Sequence, residues 1–457
     1  MSAAFEAEIV RAFGGGPLAR GSAAEISQRL VLAQRAVTGQ DLVHDFGRLW
    51  HWAPEAGVWK ELEEDAVTRI VCALDGWGIE DGDKTRELRV GGGLWRDVWA
   101  ALKSVPVERA GFFTMPAQGL AFSNGFLRID SMGARLEPAR PEQRQRHVYP
   151  IPWDEDASCD RWYKALDEWG LDREAAQRFA AQFVGTALIG LAPKGAKALF
   201  LLGGGRNGKS TFVSVVSGLF PASWRSAVHL SRLGDRFTGS VLFGKRLNVV
   251  ADITTDDMVA SGDFKAIVSG DERTMEEKYK DAVTFRPEVA LLYSFNPPRP
   301  AVVDASDGFW RRIAVIEFNQ RFEGGSADES LHDRILRDEL PGLLVWAING
   351  AVERLRNGWA PCGVEAVAEW RFGENPIGLW LAEVGDGEGW TKALDLYTSF
   401  KRWAEPRSMM KGLGSRTFGE RLEQHLLSGL PPGEKVKRKG NGGAHFYRVA
   451  IRVPIMH

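Results

Sequence analysis

The residues best suited to chemistry lie in a glycine-rich segment near the middle of the chain, residues 203–211, with the sequence GGGRNGKST. The segment fits the pattern G-x-x-x-x-G-K-[ST], and it lies between an apolar run at 198–202 and an amphipathic stretch at 212–220. A strand, a glycine-rich turn and a helix in this order can hold a triphosphate, because backbone amides without a nearby Cβ approach phosphate oxygens closely. An ordinary glycine-rich turn is the alternative.

Two side chains of this segment have specific chemical uses. Lys209 would reach the β- and γ-phosphates, and the Ser210 hydroxyl would join the shell of a Mg²⁺ ion. The segment therefore predicts ATP and Mg²⁺ as cofactors. The predicted ATP-binding residues are Gly203, Gly205, Asn207, Gly208, Lys209, Ser210 and Thr211.

Two further apolar runs end in polar side chains. Asp252 ends the run at 247–251, 43 residues after Lys209, and Asn296 ends the run at 289–295, 44 residues after Asp252. An acid at the tip of a strand neighbouring the loop can hold a magnesium-bound water, and an amide can orient the attacking water. Each also fits a simple turn, Asp as a turn starter and Asn296 before Pro297.

A pair of arginines, Arg311 and Arg312, precedes the last apolar run, IAVIEF at 313–318. Paired arginines before a strand are usually solvated or in salt bridges. An arginine supplied by a neighbouring subunit is, however, a recurrent way to neutralise charge that develops on a γ-phosphoryl group.

Short apolar runs separated by helical stretches predict an α/β core whose strands are covered on both faces. Before this core, residues 1–40 and 61–77 favour helices, and 41–59 and 121–136 favour small sheets, the second with a turn at Asn124-Gly125. A proline-rich passage at 138–152 marks the predicted boundary, and helices follow at 159–189. After the core come predicted helices at 391–403 and 415–427 and a hairpin at 434–453, the outline of a winged helix.

Composition narrows the class of protein. The chain has 457 residues, 44% of them hydrophobic, enough for a sizeable core and several domains. It has neither a long apolar span nor a signal-like start, so we expect a cytoplasmic protein with no membrane partner. The three cysteines lie far apart, which argues against disulfides and a cysteine-rich zinc site.

Charge is distributed unevenly. The net charge is −2, yet the last 57 residues hold 12 basic and 4 acidic side chains. This excess predicts a contact with a phosphate backbone, duplex or fork, although a basic hairpin can also only protect a sheet edge. The predicted DNA-binding residues of the tail are Arg416, Lys437, Arg438 and Lys439.

Five segments in order, GGGRNGKSTF, LNVVAD, KAIVSGDERTMEEKYKDAVTF, LLYSFN and GFWRRIAVIEF, resemble the motifs of superfamily 3 DNA helicases. They are most similar to the family of phage and plasmid primase-helicases and poxvirus replication helicases. The core resemblance covers residues 195–320, and weaker similarity extends to WHWAPEAGVW, LAFSNGFL and the tail.

The resemblance implies an AAA+-type P-loop ATPase that forms a ring, usually a homo-hexamer, on single-stranded DNA and moves 3′ to 5′. By motif position, Asp252 is the second-strand acid, Asn296 the sensor and Arg312 the finger acting across the subunit interface, with Arg311 in reserve. A hairpin that lines the channel would bring DNA to Lys278, Tyr279 and Lys280, which without the family would be a charged, solvent-facing turn.

Two departures from the family matter. Many relatives have two adjacent acids where this chain has Asp252 followed by Ile253, so the general base stays open, with Asp256 and Asp257 as alternatives. The polymerase-like domain of priming relatives has no counterpart in the 150-odd residues before the core. We therefore expect a helicase without primase activity, working with a separate primase or polymerase.

The predicted domains are an α+β domain at 1–150, a helical collar at 151–195, the ATPase core at 196–365 and a winged helix at 366–457. The predicted function is an ATP-dependent helicase that replicates a phage, plasmid or integrated element on single-stranded and forked DNA. An origin-melting or loading switch without processive unwinding is the alternative. A small-molecule kinase would use the same loop, but it predicts monomers and no stimulation by DNA.

Overall fold

The computed structural model divides the chain into two compact units, Met1–Pro300 with Arg311–Cys362, and Ala301–Trp310 with Gly363–His457. The four-domain division predicted from the sequence stays a prediction. The structure describes residues 3–14, 16–81, 84–104, 111–171, 174–253, 261–276, 282–297, 299–300, 302, 306–322, 328, 330–373, 375–385, 387, 389–407, 409, 413–427, 430–431, 434–440 and 443–451. Among these residues, no helix is long and apolar enough to cross a membrane.

The first unit begins with the predicted helices and small sheets. The second helix is set by its ends, since the Ser22 hydroxyl accepts a hydrogen bond from the Glu25 amide and Gly39 closes the helix in the left-handed conformation. The elements of this region are α1 Ala3–Ala12, α2 Ala23–Thr38, β1 Val43–Asp45, β2 Arg48–Ala53, β3 Val58–Glu61, α3 Glu64–Cys72, β4 Gly78–Asp81, β5 Lys84–Glu87 and α4 Leu94–Ser104.

The predicted second sheet follows, in the order β8-β7-β6-β9, with the expected turn between β6 and β7. Helices come next, and the Tyr149 hydroxyl joins sheet and core by donating to the Leu219 carbonyl over 2.7 Å. The elements are β6 Gly119–Phe122, β7 Gly125–Asp130, β8 Gly133–Glu137, β9 Val148–Tyr149, α5 Asp160–Glu168, α6 Glu174–Leu188 and α7 Ala192–Gly195.

A five-stranded parallel sheet forms the centre of the first unit, in the order β11-β12-β15-β10-β16, which confirms a mixed α/β fold. The predicted strands are buried, and β10 is buried along its whole length. The elements are β10 Ala198–Leu202, α8 Lys209–Gly218, β11 Arg225–Ser226, α9 Thr238–Leu242, β12 Leu247–Val250, α10 Ser261–Ser269, β13 Arg273–Met275, β14 Val283–Phe285, β15 Ala290–Phe295, α11 Asp307–Trp310, β16 Ile313–Glu317, α12 Leu331–Asp338 and α13 Leu340–Asn357, of which α11 belongs to the second unit.

The strand order corrects one expectation. The strand that ends before Asp252 was expected to neighbour β10, but β15 lies between β10 and β12. Counted across the sheet from β10, which leads into the loop, Asn296 follows the first strand, β15, and Asp252 follows the second, β12. Neighbouring strands are about 4.8 Å apart, so Asp252 lies one strand farther from the loop.

The second unit combines helices with a three-stranded sheet of order β17-β19-β18 around a core that contains Trp380, Phe400 and Phe418. The predicted helix at 391–403 begins at Ala393, because residues 390–392 pair as a strand instead. The helix at 415–427 and the basic hairpin are present. The elements are α14 Val364–Gly373, α15 Pro376–Val384, β17 Trp390–Lys392, α16 Ala393–Ala404, α17 Ser415–Leu427, β18 Lys437–Lys439 and β19 His445–Arg448.

Candidate nucleotide-binding site

The glycine-rich loop, residues 203–208, connects β10 to α8 and folds tightly. Gly205 and Gly208 have φ values of +93° and +87°, and Arg206 is left-handed as well at +49°. A Cβ on Gly203 would lie 2.0 Å from the Asn207 Nδ2 atom. Glycine is therefore required at 203 for space and at 205 and 208 for backbone conformation, which agrees with a cradle of backbone amides.

The Asn207 side chain holds the loop closed. Its Nδ2 donates to the Phe318 carbonyl over 3.0 Å, and its Oδ1 accepts from the Lys209 amide over 3.3 Å. The residue is buried. Asn207 thus shapes the loop with its side chain, so any contact it makes with a nucleotide would come from its backbone.

Trp169 lies beneath the loop and was not singled out from the sequence. A Cβ on Gly208 would lie 2.2 Å from its Cδ1 atom, and its ring packs against Phe212 and Phe318 with centroids 6.4 and 6.2 Å apart. The indole fixes where the loop enters α8. Its separation of about 40 residues from the loop gives no local sequence signal.

The amino terminus of α8 is open toward the loop. Gly208 at the N-cap position has no side chain that could cap the helix, the Lys209 amide bonds to Asn207 Oδ1, and the first turn contains no acidic residue. Ser210 is exposed and Thr211 is half-buried, so both stand where an anion would meet the helix. The amides of the first turn and the helix dipole favour negative charge at this point.

Lys209 is as enclosed as Asn207, with 3% of its surface exposed. Its Nζ donates to the Gly203 carbonyl over 3.2 Å, to the Phe295 carbonyl over 2.8 Å and to Asn296 Oδ1 over 2.7 Å. Burial lowers the pKa of its ammonium, and the nearby Asp252 carboxylate partly opposes that shift. An incoming phosphate would replace neutral acceptors with anionic ones, a stronger partnership for this cation.

Asp252 lies at the same edge of the sheet, because β10, β12 and β15 are parallel and their carboxyl ends coincide. It is exposed and left-handed at φ +55°, and the next amide, that of Ile253, donates to the Ser294 carbonyl over 2.8 Å. Such a conformation costs about 1–3 kcal/mol in a residue with a side chain and is concentrated at functional sites.

Ile253, which follows Asp252, is buried and has no carboxylate. Asp252 therefore offers a carboxylate at this edge without an adjacent second acid in the sequence. The alternative bases Asp256 and Asp257 lie outside the described residues.

Ser210 and Asp252, the predicted magnesium ligands, offer one hydroxyl and one carboxylate. In the part of the chain that the structure describes, no three His, Cys, Asp or Glu side chains group as a metal site. This donor set suits Mg²⁺, which keeps several waters and shares its shell with substrate phosphates.

Arg311 and Arg312 lie at the opposite, amino-terminal edge of the sheet. The Arg312 carbonyl accepts from the Ala198 amide over 2.8 Å, and the Arg311 carbonyl accepts from Lys197 Nζ over 2.7 Å. Since β10 has five residues, about 16 Å of strand separates them from the loop. The structure does not bring these arginines to Lys209 within one chain.

The Arg312 guanidinium is half-buried and donates to the Ser269 hydroxyl through Nε over 3.0 Å and Nη2 over 2.7 Å. Burial, and then the neighbouring Arg311, lower the pKa of the group. It remains a cation at neutral pH, because the reference value is far above 7.

The predicted DNA-binding residues of the tail differ in their surroundings. Arg416 pairs with Glu420 over 3.1 Å, and Lys437 donates to Glu423 over 2.9 Å, a bond that raises its pKa. Arg438 lies over the Trp390 ring instead, and Lys439 is exposed. Lys278, Tyr279 and Lys280 lie outside the described residues.

Comparison with known proteins matches residues 201–312 to a family of unknown function, DUF5906. This stretch is about a quarter of the chain and includes every residue assigned above to the nucleotide. No curated protein matches the chain.

Among solved structures, the A form of the apo NrS-1 C-terminal region is 13% identical, with 84% of this chain and 99% of that chain covered at a TM-score of 0.43. A second apo structure of the NrS-1 C-terminal region (305-718) is 13% identical, with 84% and 98% covered at a TM-score of 0.41. Both scores are below 0.5, so what this chain does must be argued from its own residues.

Proposed function

We propose that this chain is an ATP-dependent DNA helicase that acts as a ring in the replication of a phage, plasmid or integrated element. One observation carries the proposal. The Lys209 ammonium is buried against Asn296 and the carbonyls of Gly203 and Phe295, near Asp252, at the carboxyl edge of a parallel sheet. Ligands of α/β sheets bind at this edge.

The residues at the carboxyl edge of the sheet have separate roles in binding and hydrolysing ATP. The loop amides and Lys209 hold the phosphates of ATP, and Ser210 and Asp252 hold Mg²⁺ through its water shell. When bound, Mg²⁺ would screen charge on the phosphates. Asn296, in contact with Lys209, is placed to orient the attacking water.

The positions of the arginines call for a second subunit. Arg312, with Arg311 in reserve, lies about 16 Å of strand away from the loop of its own chain, so it can meet a γ-phosphate only in a neighbouring copy. Subunits that donate an arginine in one direction form a head-to-tail contact, which gives a ring when the rotation between neighbours closes. A homo-hexamer matches the resemblance in the sequence.

The ring would bind single-stranded and forked DNA and move 3′ to 5′, with Lys278, Tyr279 and Lys280 in its channel. A separate primase or polymerase would supply synthesis, and the cytoplasm is the proposed compartment. The basic tail, with Arg416, Lys437, Arg438 and Lys439, would contact the fork.

A strand-displacement assay on a forked substrate tests the proposal. The full chain with ATP and Mg²⁺ should release the labelled strand when a 3′ single-stranded arm is present, and Lys209→Ala should not. ATP turnover without displacement would favour the origin-melting or loading switch. Turnover by a monomer that DNA does not stimulate would instead favour a small-molecule kinase and refute the helicase.

A further inference from the structure

The small sheet of the second unit has one face turned away from its core. Tyr447 of β19 is 3% exposed and belongs to the core cluster. The residues on either side of it, Phe446 and Arg448, therefore point to the opposite face, because side chains alternate along a strand.

The strand register extends this outward face to the neighbouring strands. Phe446 lies opposite both Lys392 and Arg438, and Arg448 lies opposite Trp390. Directly opposed residues share a face. Two aromatic rings and three cations are thus grouped on one side of the sheet.

The charge of this sheet is one-sided. Its ten strand residues include five lysines and arginines and no acid. Lys437 on the core side pairs with Glu423, and Arg448 pairs with Glu434 over 3.1 Å. Among the residues that the structure describes, Lys392 and Arg438 have no ion-pair partner, so the outward face keeps an excess of positive charge.

Trp390 is 37% exposed, and the Arg438 guanidinium lies 4.4 Å from its ring centroid and 5.8 Å from that of Phe446. An exposed cation–π contact is worth about 0.5–1 kcal/mol, whereas a base stacked on an aromatic ring is worth about 1–3 kcal/mol. A nucleobase can therefore displace or extend the stack, while the guanidinium stays nearby for a phosphate.

A second Trp–Arg pair in the same unit differs from this one because it has a carboxylate partner. Arg407 lies over Trp403 at 4.7 Å, but Glu383 accepts hydrogen bonds from both the indole and the guanidinium. That pair lies on helix α16 and the turn after it, and its charge is neutralised locally. The pair on the sheet has no such carboxylate among the described residues.

We propose that the outward face of the sheet β17-β19-β18 is a stacking platform for single-stranded DNA. Bases stack on Trp390 and Phe446, and Lys392 and Arg438 contact the phosphates. This assigns the hairpin to unpaired bases, in addition to the backbone contact predicted for its basic residues. The choice of DNA rests on the proposed function.

The test measures binding by fluorescence anisotropy without ATP, so a failure of hydrolysis and a failure of stacking are separate results. The probes are a labelled 20-nucleotide oligothymidine and an abasic strand of equal length. Trp390→Ala in the full chain should weaken oligothymidine binding about 10-fold and leave abasic binding unchanged. Trp390→Phe should keep most of the affinity, because it keeps a ring.

Trp403→Ala is the matched control and should bind both probes as the unchanged chain does, with thermal melts to show that it folds. If Trp403→Ala unfolds, a second matched pair of variants takes its place. Arg438→Ala should weaken the binding of both probes, and Arg407→Ala is its control. Unchanged oligothymidine binding by Trp390→Ala, or equal losses for both probes, would overturn the proposal. Tighter binding of oligouridine than of oligothymidine would reassign the platform to RNA.

Discussion

The two edges of the central sheet hold polar groups in opposite ways. At the carboxyl edge, the Lys209 ammonium bonds to backbone carbonyls and to Asn296, and the Asp252 carboxylate is exposed. At the amino edge, Arg246 is buried and pairs with Glu288 over 3.0 Å, while Glu288 also lies 3.6 Å from Arg146.

The amino edge holds a connected group of charged and polar side chains, although the Arg246 Nε atom has no hydrogen-bond partner among the described residues. The Arg246 guanidinium bonds to His147, whose other ring nitrogen lies 2.9 Å from the Gly244 carbonyl. Gly190 makes room for Arg246, since a Cβ there would lie 1.2 Å from its Nη1. A network with fixed partners holds strands in place, whereas a cation on neutral carbonyls is ready for an anion.

Arg312 also lies at the amino edge, where its guanidinium donates to the Ser269 hydroxyl over 2.7 Å and the Asp271 carboxylate acts to raise its pKa. The comparison therefore assigns chemistry to Lys209, and architecture to Arg246 and Glu288. The role proposed for Arg312 rests on its motif position.

The largest expected effect is on Arg312. An arginine finger is worth about 10³-fold or more in turnover, so Arg312→Ala should lose at least that much. Rings mixed from Arg312→Ala and Lys209→Ala subunits should regain part of the activity, since some interfaces then join an intact loop to an intact arginine. Mixtures as inactive as either variant alone would remove the assignment across subunits.

Lys209→Ala should reduce ATP turnover by about 10²–10³-fold, as expected for loss of one preorganised donor to the phosphates. The fold should stay intact, because the Phe295 carbonyl that the ammonium leaves also accepts from the Gly203 amide over 3.4 Å. Phosphate release and a thermal melt check both statements. Normal hydrolysis by the variant would refute the phosphate role.

Glu288→Ala should lower the free energy of unfolding and leave nucleotide binding unchanged. Two arginines would lose their shared carboxylate, and breaking such a buried pair costs about 3 kcal/mol. Urea unfolding should show this loss while ATP affinity in native conditions stays the same. A variant that keeps its stability but binds ATP more weakly would contradict this division of roles between the two edges.

Gly208→Ala should cost about 2 kcal/mol, because position 208 is left-handed and its Cβ would overlap Trp169. Gly204→Ala is the matched control, since nothing lies within 4 Å of a Cβ there. The melting temperature of the first variant should fall and that of the second should not. Equal melts would show that Trp169 does not define the loop.

The smallest effect is a pH dependence that arises from two buried histidines, His147 at the amino edge and His51 of β2. Burial, with Arg246 next, holds the pKa of His147 well below 6.5, and burial lowers that of His51 to about 4. The unfolded chain takes up these protons first, so stability should fall as the pH drops below 6.5, by at most about 1.4 kcal/mol per pH unit for each histidine. Urea midpoints at pH 7.5 and 5.5 test this, and equal midpoints would contradict it.

Much of the site followed from local patterns. The loop, its strand and its helix were predicted from spacing, and Asp252 and Asn296 were expected near Lys209 because parallel strands share a carboxyl edge. Their order across the sheet was wrong, since adjacency of strands is decided by packing of the whole layer and not by sequence distance.

Other features depended on contacts that sequence does not encode locally. Trp169 reaches the loop from a distant helix end, and Glu423 neutralises Lys437 from another element. Thr391 and Lys392 were placed in a helix, although their pairing with Tyr447 and Phe446 makes them strand residues. In each case a tertiary contact decided the outcome.

The central claim is that residues 203–211 grip the phosphates of ATP in a DNA-activated enzyme. Phosphate release by the full chain, with and without single-stranded DNA and beside Lys209→Ala, tests it most directly. The account predicts hydrolysis that DNA accelerates and that disappears in the variant. Hydrolysis that is absent under all nucleotide and DNA conditions, or equal in the variant, would contradict it.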